Sequence, residues 1–256
     1  MRMRSFGWGF LAAVALSAVP LLGAPINYGS YSGNTVIFQN VTEDSSTDPV
    51  PLFGAPTQTA DSLSFSPVSF GASASGAGGV DLTDGTLAMK LQAKPGFGVH
   101  SFALSEAGDY TIAGSGGTSA TTAQVSATIF IRVLEVDNAG VTPFGPDLNL
   151  MFTPTGTPPT AFGGQYHYGP DSGIGVIWSG GTSVDIDSVL ANAGYGPTHH
   201  ATLVSVTMDN TLLAVSEAGT VSFIKKKALD GVTITVPEPG MLSMLLIGVM
   251  ALSRRR

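Results

Sequence analysis

The amino-acid sequence predicts an all-β protein, an antiparallel β-sandwich or jelly-roll-like body (residues 24–236) between a signal peptide (1–23) and a single hydrophobic helix in the tail (237–256). Charged residues make up only 11% of the 256 residues and glycine contributes 33, whereas a helical bundle needs long runs of Leu, Glu, Lys and Arg. Short alternating runs are separated by turn-forming residues, as in antiparallel sheets. Cysteine is absent, so packing, hydrogen bonds or bound ions must stabilise the body without disulfides.

The N-terminal segment has the three parts of a secretory signal peptide. Arg2 and Arg4 provide the positive start, residues 10–19 are apolar, and small residues surround the expected cleavage point after Gly23. We therefore expect signal peptidase to remove residues 1–23 during export. The alternative is a permanent N-terminal anchor, for which the apolar run is short.

Two runs in the body have clear strand patterns. In GTLAMKLQAK, Leu87, Met89 and Leu91 fall on one side of a period-two alternation, which predicts a strand with one buried face. ATIFIRVLEV has apolar residues on both faces, which predicts that residues 128–136 form a central strand covered on both sides. Arg132 within this strand is expected to reach the rim or a carboxylate.

The C-terminal part of the body is predicted to be an antiparallel meander of four strands. Asp209-Asn210 is the expected turn between the first two strands, because these residues tolerate positive φ. The four strand runs are residues 200–208, 211–215, 221–225 and 232–236.

Two local signals complete the secondary-structure prediction. A short helix is expected at residues 186–193, because Asp185 can cap its N-terminus and Gly194 can end it. FALSEAG (102–108) is similar to LAVSEAG (213–219), and we interpret both as recurrent turn chemistry, with a duplicated half-domain as the alternative.

Two aromatic loops, QYHYGPD (165–171) and GYGPTHH (194–200), hold the candidate ligand-binding residues. If the loops meet, their histidines and Asp171 could bind zinc or a similar metal. The alternative is ordinary packed loops, and because the HExxH spacing is absent we predict no metal site. Exposed rings could instead stack on a carbohydrate. The candidate ligand-binding residues are Tyr166, His167, Tyr168, Trp178, Tyr195, His199 and His200.

The acidic residues form no recognisable catalytic or cofactor-binding motif, so we predict no catalytic residue and no cofactor. DLTDG (81–85), DNAG (137–140) and DID (185–187) are expected to form turns, with a structural calcium ion as the alternative. Nothing selects a carboxylate pair for glycoside hydrolysis, and G-x-S-x-G and phosphate-binding glycine motifs are absent. Residues 24–236 contain six basic and seventeen acidic residues, a formal charge of −11, so nucleic acid is not an expected partner.

The chain ends in VPEPGMLSMLLIGVMALSRRR, a short motif followed by an apolar run and a basic cluster. As a helix, residues 240–253 would span about 21 Å, against roughly 30 Å of hydrocarbon, so they make a weak membrane anchor. Arg254, Arg255 and Arg256 are expected to stay on the cytoplasmic side as a basic stop. This arrangement is typical of a tail that holds a protein at the membrane before cleavage.

The tail resembles the PEP-CTERM sorting signal. In that family the signal is read by exosortase, a membrane-embedded enzyme of Gram-negative bacteria that make extracellular polysaccharide. The resemblance implies that Pro237, Glu238 and Pro239 are the recognition residues and that the catalytic cysteine belongs to exosortase. The body is also similar to a recurring group of PEP-CTERM proteins, which implies an extracellular β-rich domain without an assigned reaction. The stretches that carry this similarity are residues 37–56, 63–70, 94–110 and 225–239.

These features predict an exported protein of the cell surface or exopolysaccharide matrix with a structural or adhesive role. The expected route is signal-peptide removal, transient anchoring in the inner membrane and release by exosortase. A carbohydrate-binding module is the alternative. A secreted hydrolase is the third hypothesis, and it ranks last because no catalytic motif supports it. Exposed coplanar rings would favour carbohydrate binding, whereas acids or histidines converging in a cleft would favour an enzyme.

Overall fold

The computed structural model describes residues 24–227 and 232–236, and these segments form strands and one short helix. In chain order the elements are β1 (Ile26–Ser32), β2 (Val36–Asp44), β3 (Thr57–Thr59), β4 (Ser62–Phe65), β5 (Gly71–Ser75), β6 (Gly79–Ala93), β7 (Ser101–Gly114), β8 (Thr122–Val136), β9 (Ala139–Phe144), β10 (Asp147–Asn149), β11 (Met151–Thr153), β12 (Gln165–His167), β13 (Gly173–Asp185), α1 (Ile186–Asn192), β14 (Ala201–Ser216), β15 (Thr220–Lys226) and β16 (Val232–Thr235).

The described strands form two eight-stranded sheets in which every pairing is antiparallel. The first sheet has the order β1-β2-β6-β14-β8-β10, and β9 and β12 also pair with β8. The second sheet has the order β11-β13-β7-β16-β4-β3, and β15 pairs with both β5 and β7. The predicted all-β, antiparallel class is confirmed.

One hydrophobic core lies between the two sheets. β14 of the first sheet contacts β5 and β15 of the second, and buried side chains of both sheets belong to one cluster. Along β14 the buried positions alternate with more exposed ones, and Val204, Val206 and Leu212 are among the buried residues. A strand with period two needs this pattern to bury one face. The arrangement is compatible with a β-sandwich.

The two strands with clear sequence patterns differ in how well their burial was predicted. Leu87, Met89 and Leu91 are buried on β6, as predicted. β8 lies inside the first sheet, but the prediction that both of its faces are covered is wrong. Phe130 and Leu134 on its outer face are half-buried, because that face packs against no second sheet and is only partly covered.

Arg132 on the outer face of β8 reaches a carboxylate, as predicted. Its guanidinium lies 2.6 Å from the Asp147 carboxylate on β10. It also donates hydrogen bonds to the carbonyls of Ile131, Gly145 and Pro146. The arginine therefore ties β8 to the chain that enters β10.

The predicted turn at Asp209-Asn210 and the four-stranded meander are wrong. β14 runs without interruption from Ala201 to Ser216. Asn210 occupies an inward position and donates a hydrogen bond of 2.8 Å to the Glu106 carboxylate on the second sheet. A partner on a distant strand satisfies the amide, so the polar residue stays within the sheet. β15 and β16 then belong to the second sheet rather than to a meander with β14.

The short helix is confirmed, with one residue less at its C-terminal end. α1 begins after Asp185, whose carboxylate accepts a hydrogen bond of 3.1 Å from the backbone N–H of Ser188. The chain leaves the helix through Gly194, which has a φ of +92° that favours glycine. Within the described residues, no helix is long and apolar enough to cross a membrane.

The turn interpretation of the repeated segments is wrong for the first copy. Residues 102–108 lie within β7, whereas residues 213–219 end β14 and turn into β15. Glu106 of the first copy is buried in the core, and Glu217 of the second is partly exposed at a turn. The shared sequence Ser-Glu-Ala-Gly therefore has a different structural role in each copy.

Two buried carboxylates attach neighbouring loops to the sheets. Glu43 on β2 accepts hydrogen bonds from the backbone N–H of Phe53, at 2.8 Å, and from the Tyr28 hydroxyl, at 2.6 Å. The Asp61 carboxylate accepts two hydrogen bonds from Thr35, one from its backbone N–H at 3.0 Å and one from its side-chain hydroxyl at 2.6 Å. Burial, followed by the contact with Glu43, raises the pKa of the Tyr28 hydroxyl. These acids stabilise the fold in a chain without disulfides.

The predicted signal peptide (1–23) and sorting tail (237–256) lie outside the described residues.

Candidate functional site

A cluster of three ligating side chains lies where β8 ends and β14 begins. One nitrogen each of His100 and His200 and one carboxylate oxygen of Asp187 all lie within 4.8 Å of one another. We call these three residues the histidine cluster. Among the described residues it is the group of three or more His, Cys, Asp or Glu side chains close enough to hold a metal ion.

Three different elements position the cluster. His100 directly precedes β7, Asp187 lies in the first turn of α1, and His200 directly precedes β14. The carbonyl of His100 accepts the backbone N–H of Ile186 at 2.9 Å, which holds the start of the helix against the loop before β7. The N–H of Val99 donates to the carbonyl of Ala201 at 2.8 Å, which holds the segment with His100 beside the segment with His200.

Gly98 leaves the space in which the two imidazoles approach each other. A Cβ at this position would lie 2.8 Å from the Cβ of His200 and 3.3 Å from the Nε2 of His100. The first distance is shorter than real Cβ contacts allow, so a side chain at residue 98 would push the rings apart. Its φ is not positive, so the backbone conformation does not require glycine at this position. The glycine is needed for space.

The polar atoms of the cluster are unequally satisfied. The Nδ1 of His100 lies 3.0 Å and 3.1 Å from the two carboxylate oxygens of Asp187. The ring of His200 packs edge-on against that of His100, with centroids 5.1 Å apart and planes inclined by 68°. The Nδ1 of His200 is buried and has no hydrogen-bond partner within the described part of the chain. A buried ring nitrogen without a partner is costly.

A second histidine–carboxylate pair borders the cluster. The Nδ1 of His199 lies 2.6 Å from Asp137, whose carboxylate also accepts the backbone N–H of His200 at 3.0 Å. The hydrogen bond from His200, with a further contribution from His199, lowers the pKa of the Asp137 carboxyl. Asp137 and Asn138 have positive φ values of 50° and 62° in the tight turn between β8 and β9. The turn therefore fixes the backbone that carries His200.

The histidine cluster opens into clefts on two sides. One cleft of about 550 Å³ is lined by Phe97, Asn138 and Thr202 together with His100 and His200. A second, of about 330 Å³, is lined by His100, Asp187 and neighbouring residues of β7 and β13. Both have room for water and a small ligand next to the clustered side chains.

The two aromatic loops, whose histidines could bind zinc only if the loops met, do not meet. His167 pairs with Thr122 at the start of β8, whereas Ala201, which follows His200, pairs with Val136 at its end. The 15 residues of β8 separate them, roughly 45 Å at about 3.3 Å per residue. The Nδ1 of His167 instead lies 2.8 Å from the carbonyl of Ser119. The condition on which the zinc hypothesis depended is therefore not met.

Asp171 belongs to the local structure around His167. Its carboxylate accepts the backbone N–H groups of His167, at 2.9 Å, and of Thr157, at 3.0 Å. It therefore closes its own loop, far from the histidine cluster.

Two of the four rings predicted as carbohydrate platforms are fully buried. Trp178 packs edge-on against Phe152 with centroids 5.9 Å apart, and Tyr166 stacks on Tyr110 at 4.0 Å. Burial raises the pKa of the Tyr110 hydroxyl to about 12 and also raises that of Tyr166. These rings are core residues and present no face to a sugar.

The other two rings are half-buried and lie at opposite ends of the first sheet. Tyr168 follows β12 and donates a hydrogen bond of 3.1 Å to the carbonyl of Gly114. Tyr195 follows α1 and stacks against Phe144 at 5.9 Å. The predicted rings therefore do not form one exposed, coplanar set.

The acidic segments considered for calcium have structural contacts. Asp81 accepts the N–H of Ser73 at 2.7 Å, and Asp185 caps α1. Burial, followed by a hydrogen bond to Asp84, raises the pKa of the Asp209 carboxyl on the neighbouring strand. Directly hydrogen-bonded carboxyls lie closer together than the about 5 Å or more that separates the two acids of a glycoside hydrolase. DLTDG lies within β6 rather than in a turn, so that part of the prediction is wrong.

Sequence reasoning missed His100 and considered Asp187 only as a possible calcium ligand. His100 is one of four histidines in the chain, and its neighbours KPGFGV carry no metal-binding spacing. Two features of the sequence could have drawn attention to His100 as a ligand. These are the glycine two residues before it and the rarity of histidine in the chain. The partners, however, are 87 and 100 residues away in the sequence, so their proximity follows from the fold alone.

Comparisons with known proteins identify no family. No family model and no curated protein matches the chain. Among solved structures, it is similar to the enzymatically active domain of tailspike protein 4 of bacteriophage CBA120, at 12% identity and a TM-score of 0.20. The match covers 78% of this chain but only 18% of the tailspike chain. A similarity this weak supports no conclusion about fold or activity.

Proposed function

We propose that this is an exported, exosortase-sorted protein of the cell surface or exopolysaccharide matrix, with a structural or adhesive role. One observation carries the proposal, which is that the described body is still packed at Val236, the residue before the sorting motif. Ile234 and Val236 are buried, and the N–H of Val236 donates to the carbonyl of Asp61 at 2.9 Å. Pro237 follows at once. A processing enzyme that cuts at this motif would therefore release the described body whole.

The structural role is supported by the use of the buried acids. Glu43 and Asp61 accept backbone hydrogen bonds, and Glu106 contacts Asn210 across the core. These buried carboxylates make hydrogen bonds that hold an acidic body together without disulfides, which is typical of a structural role. The body in this proposal is a β-sandwich of jelly-roll type. The burial of Trp178 and Tyr166 weakens the alternative of a carbohydrate-binding module.

The proposed route has four steps. Signal peptidase removes residues 1–23, the tail holds the chain in the inner membrane, exosortase cuts at the sorting motif, and the body joins the extracellular matrix. The motif is Pro237, Glu238 and Pro239, and the cytoplasmic basic stop is Arg254, Arg255 and Arg256.

Replacing Pro237, Glu238 and Pro239 together with alanine tests the sorting role. In a host that has exosortase, we expect the triple variant to accumulate uncut in the inner membrane while the wild type is released. The melting temperature of the body should not change, because every buried residue of the described body lies before the motif. Membrane fractionation with intact-mass measurement provides the readout.

Two controls accompany this experiment. Pro95→Ala, at an exposed proline in the body, should leave release unchanged, and a host without exosortase should retain the wild type in the membrane. Equal release of the wild type and the triple variant would refute the sorting role.

A further inference from the structure

We propose that His100, Asp187 and His200 form a binding site for a divalent transition-metal ion, with zinc as the ion to be tested. The proposal concerns the body alone and is independent of the sorting route. Two imidazole nitrogens and one carboxylate oxygen are the donor set of many open zinc sites. Magnesium and calcium prefer oxygen ligands throughout, so this donor set favours a transition metal.

The distances between the ligand atoms are close to those of a metal site. A tetrahedral ion with bonds of about 2.0 Å holds its ligand atoms about 3.3 Å apart. The Nδ1 of His100 already lies 3.0 Å from Asp187. The ligand nitrogen of His200 lies within 4.8 Å of the other two atoms, so it has at most about 1.5 Å to move.

Two independent features indicate that the site is built for a ligand. The first is the Nδ1 of His200, which is buried and lacks a partner within the described residues, so the ring is not fully satisfied by protein contacts. The second is Gly98, whose missing side chain allows the two imidazoles to lie together. A cluster that served only as a hydrogen bond between His100 and Asp187 would need neither feature.

The surroundings hold the ligands in place and leave one side open. The carbonyl of His200 accepts the N–H of Asp137 at 3.0 Å, and the carbonyl of His100 accepts the N–H of Ile186 at 2.9 Å. The cleft of about 550 Å³ beside His100 and His200 provides room for water at the remaining coordination positions. Such a site can bind a small anionic or hydroxyl-bearing ligand through the ion.

Calorimetric titration of the purified full chain, prepared without a histidine tag, with zinc chloride tests the proposal. We expect one zinc ion per chain. His100→Gln, Asp187→Asn and His200→Gln should each weaken zinc affinity by about tenfold or more, since removal even of outer-shell partners costs about 10–100-fold. Magnesium chloride at the same concentration should give no binding. The cobalt-loaded protein should show the visible absorption of a low-coordinate nitrogen–oxygen site, and the three variants should lose it.

The matched control is His167→Gln, which removes a histidine at the far end of β8 and should leave zinc affinity unchanged. Circular dichroism shows which variants fold, and Asp187→Asn is the safest because its side chain is half exposed. Gly98→Ala provides a second test, because it should weaken zinc binding without removing a ligand. Absence of zinc binding by the wild type, or binding that survives in the folded ligand variants, would overturn the proposal.

Discussion

Lys226 and Glu106 form a fully buried ion pair, with the Nζ of the lysine 2.5 Å from the carboxylate. Asn210 of the opposite sheet donates to the same carboxylate oxygen, and the ammonium lies 5.2 Å from the ring centroids of Phe70 and Trp178. Burial lowers the pKa of the Lys226 ammonium, although the Glu106 carboxylate opposes this shift. A buried charge depends strongly on its partner. The hydrogen bond from Asn210 links this ion pair of the second sheet to the first sheet.

Removing one member of this pair should destabilise the protein more than removing both. Glu106→Leu leaves the lysine buried without a counter-charge, and we expect it to lower the free energy of unfolding by about 3–5 kcal/mol. The double variant Glu106→Leu with Lys226→Met should recover most of this loss, apart from about 1–3 kcal/mol for the unpaired Asn210 amide. Urea unfolding, followed by the fluorescence of buried Trp178, measures both values.

The control for this prediction is Lys90→Met, which changes an exposed lysine of β6. It should alter the free energy of unfolding by no more than about 0.5 kcal/mol. If the double variant is less stable than the single Glu106 variant, the uncompensated lysine charge is not the cause of the destabilisation and the prediction is wrong.

At the scale of elements, the turn between β14 and β15 is fastened to a loop that is distant in sequence. The Glu217 carboxylate accepts the backbone N–H of Thr118 at 2.7 Å and that of Thr121 at 3.2 Å. It also accepts the hydroxyl of Thr121 at 3.0 Å. These hydrogen bonds, with the one from the Thr118 N–H first, lower the pKa of the Glu217 carboxyl. One carboxylate thus holds the loop between β7 and β8 against the turn.

The stability provided by Glu217 should depend on pH. Because its pKa is lower in the folded protein than the ordinary value of 4.5, the contribution is fully present above about pH 4.5 and is lost as the pH falls through the folded-state pKa. Glu217→Gln should therefore be less stable than the wild type at pH 7, and the difference should shrink at pH 3. Urea midpoints of both proteins at the two pH values measure this. A difference that stays the same at both pH values would contradict the prediction.

At the scale of the whole molecule, β16 completes the second sheet. It lies between β7 and β4, and β3 is attached to the sheet only through β4 in the described strand order. Ile234 on β16 and Val236 just after it are buried. The residues just before the sorting motif therefore attach both β3 and β4 to the body.

Two truncations should separate the body from its tail. A chain of residues 24–236 should keep the melting temperature of the processed protein, because it retains β16. A chain of residues 24–227 lacks the buried side chains of Ile234 and Val236, each worth about 1.5–3 kcal/mol, and should melt roughly 10 °C lower or aggregate. Scanning calorimetry of both chains measures the difference. Equal melting temperatures would show that β16 does not contribute to the body.

The local features of this protein follow from its sequence. Few charges and many turn residues predict the all-β class, the alternation at Leu87, Met89 and Leu91 predicts a half-buried strand, and Asp185 predicts the start of the helix. Each of these depends on residues within a few positions of one another, because side-chain period and capping are properties of the local backbone.

The tertiary structure alone decided where polar residues find their partners. Asn210 carries a turn signal, yet it lies inside β14 because Glu106, 104 residues away, accepts its hydrogen bond. Likewise, His100 and Asp187 are 87 residues apart, and they meet His200 only because three elements begin at the same place. Contacts of this kind depend on strand register and sheet order, which no local pattern encodes.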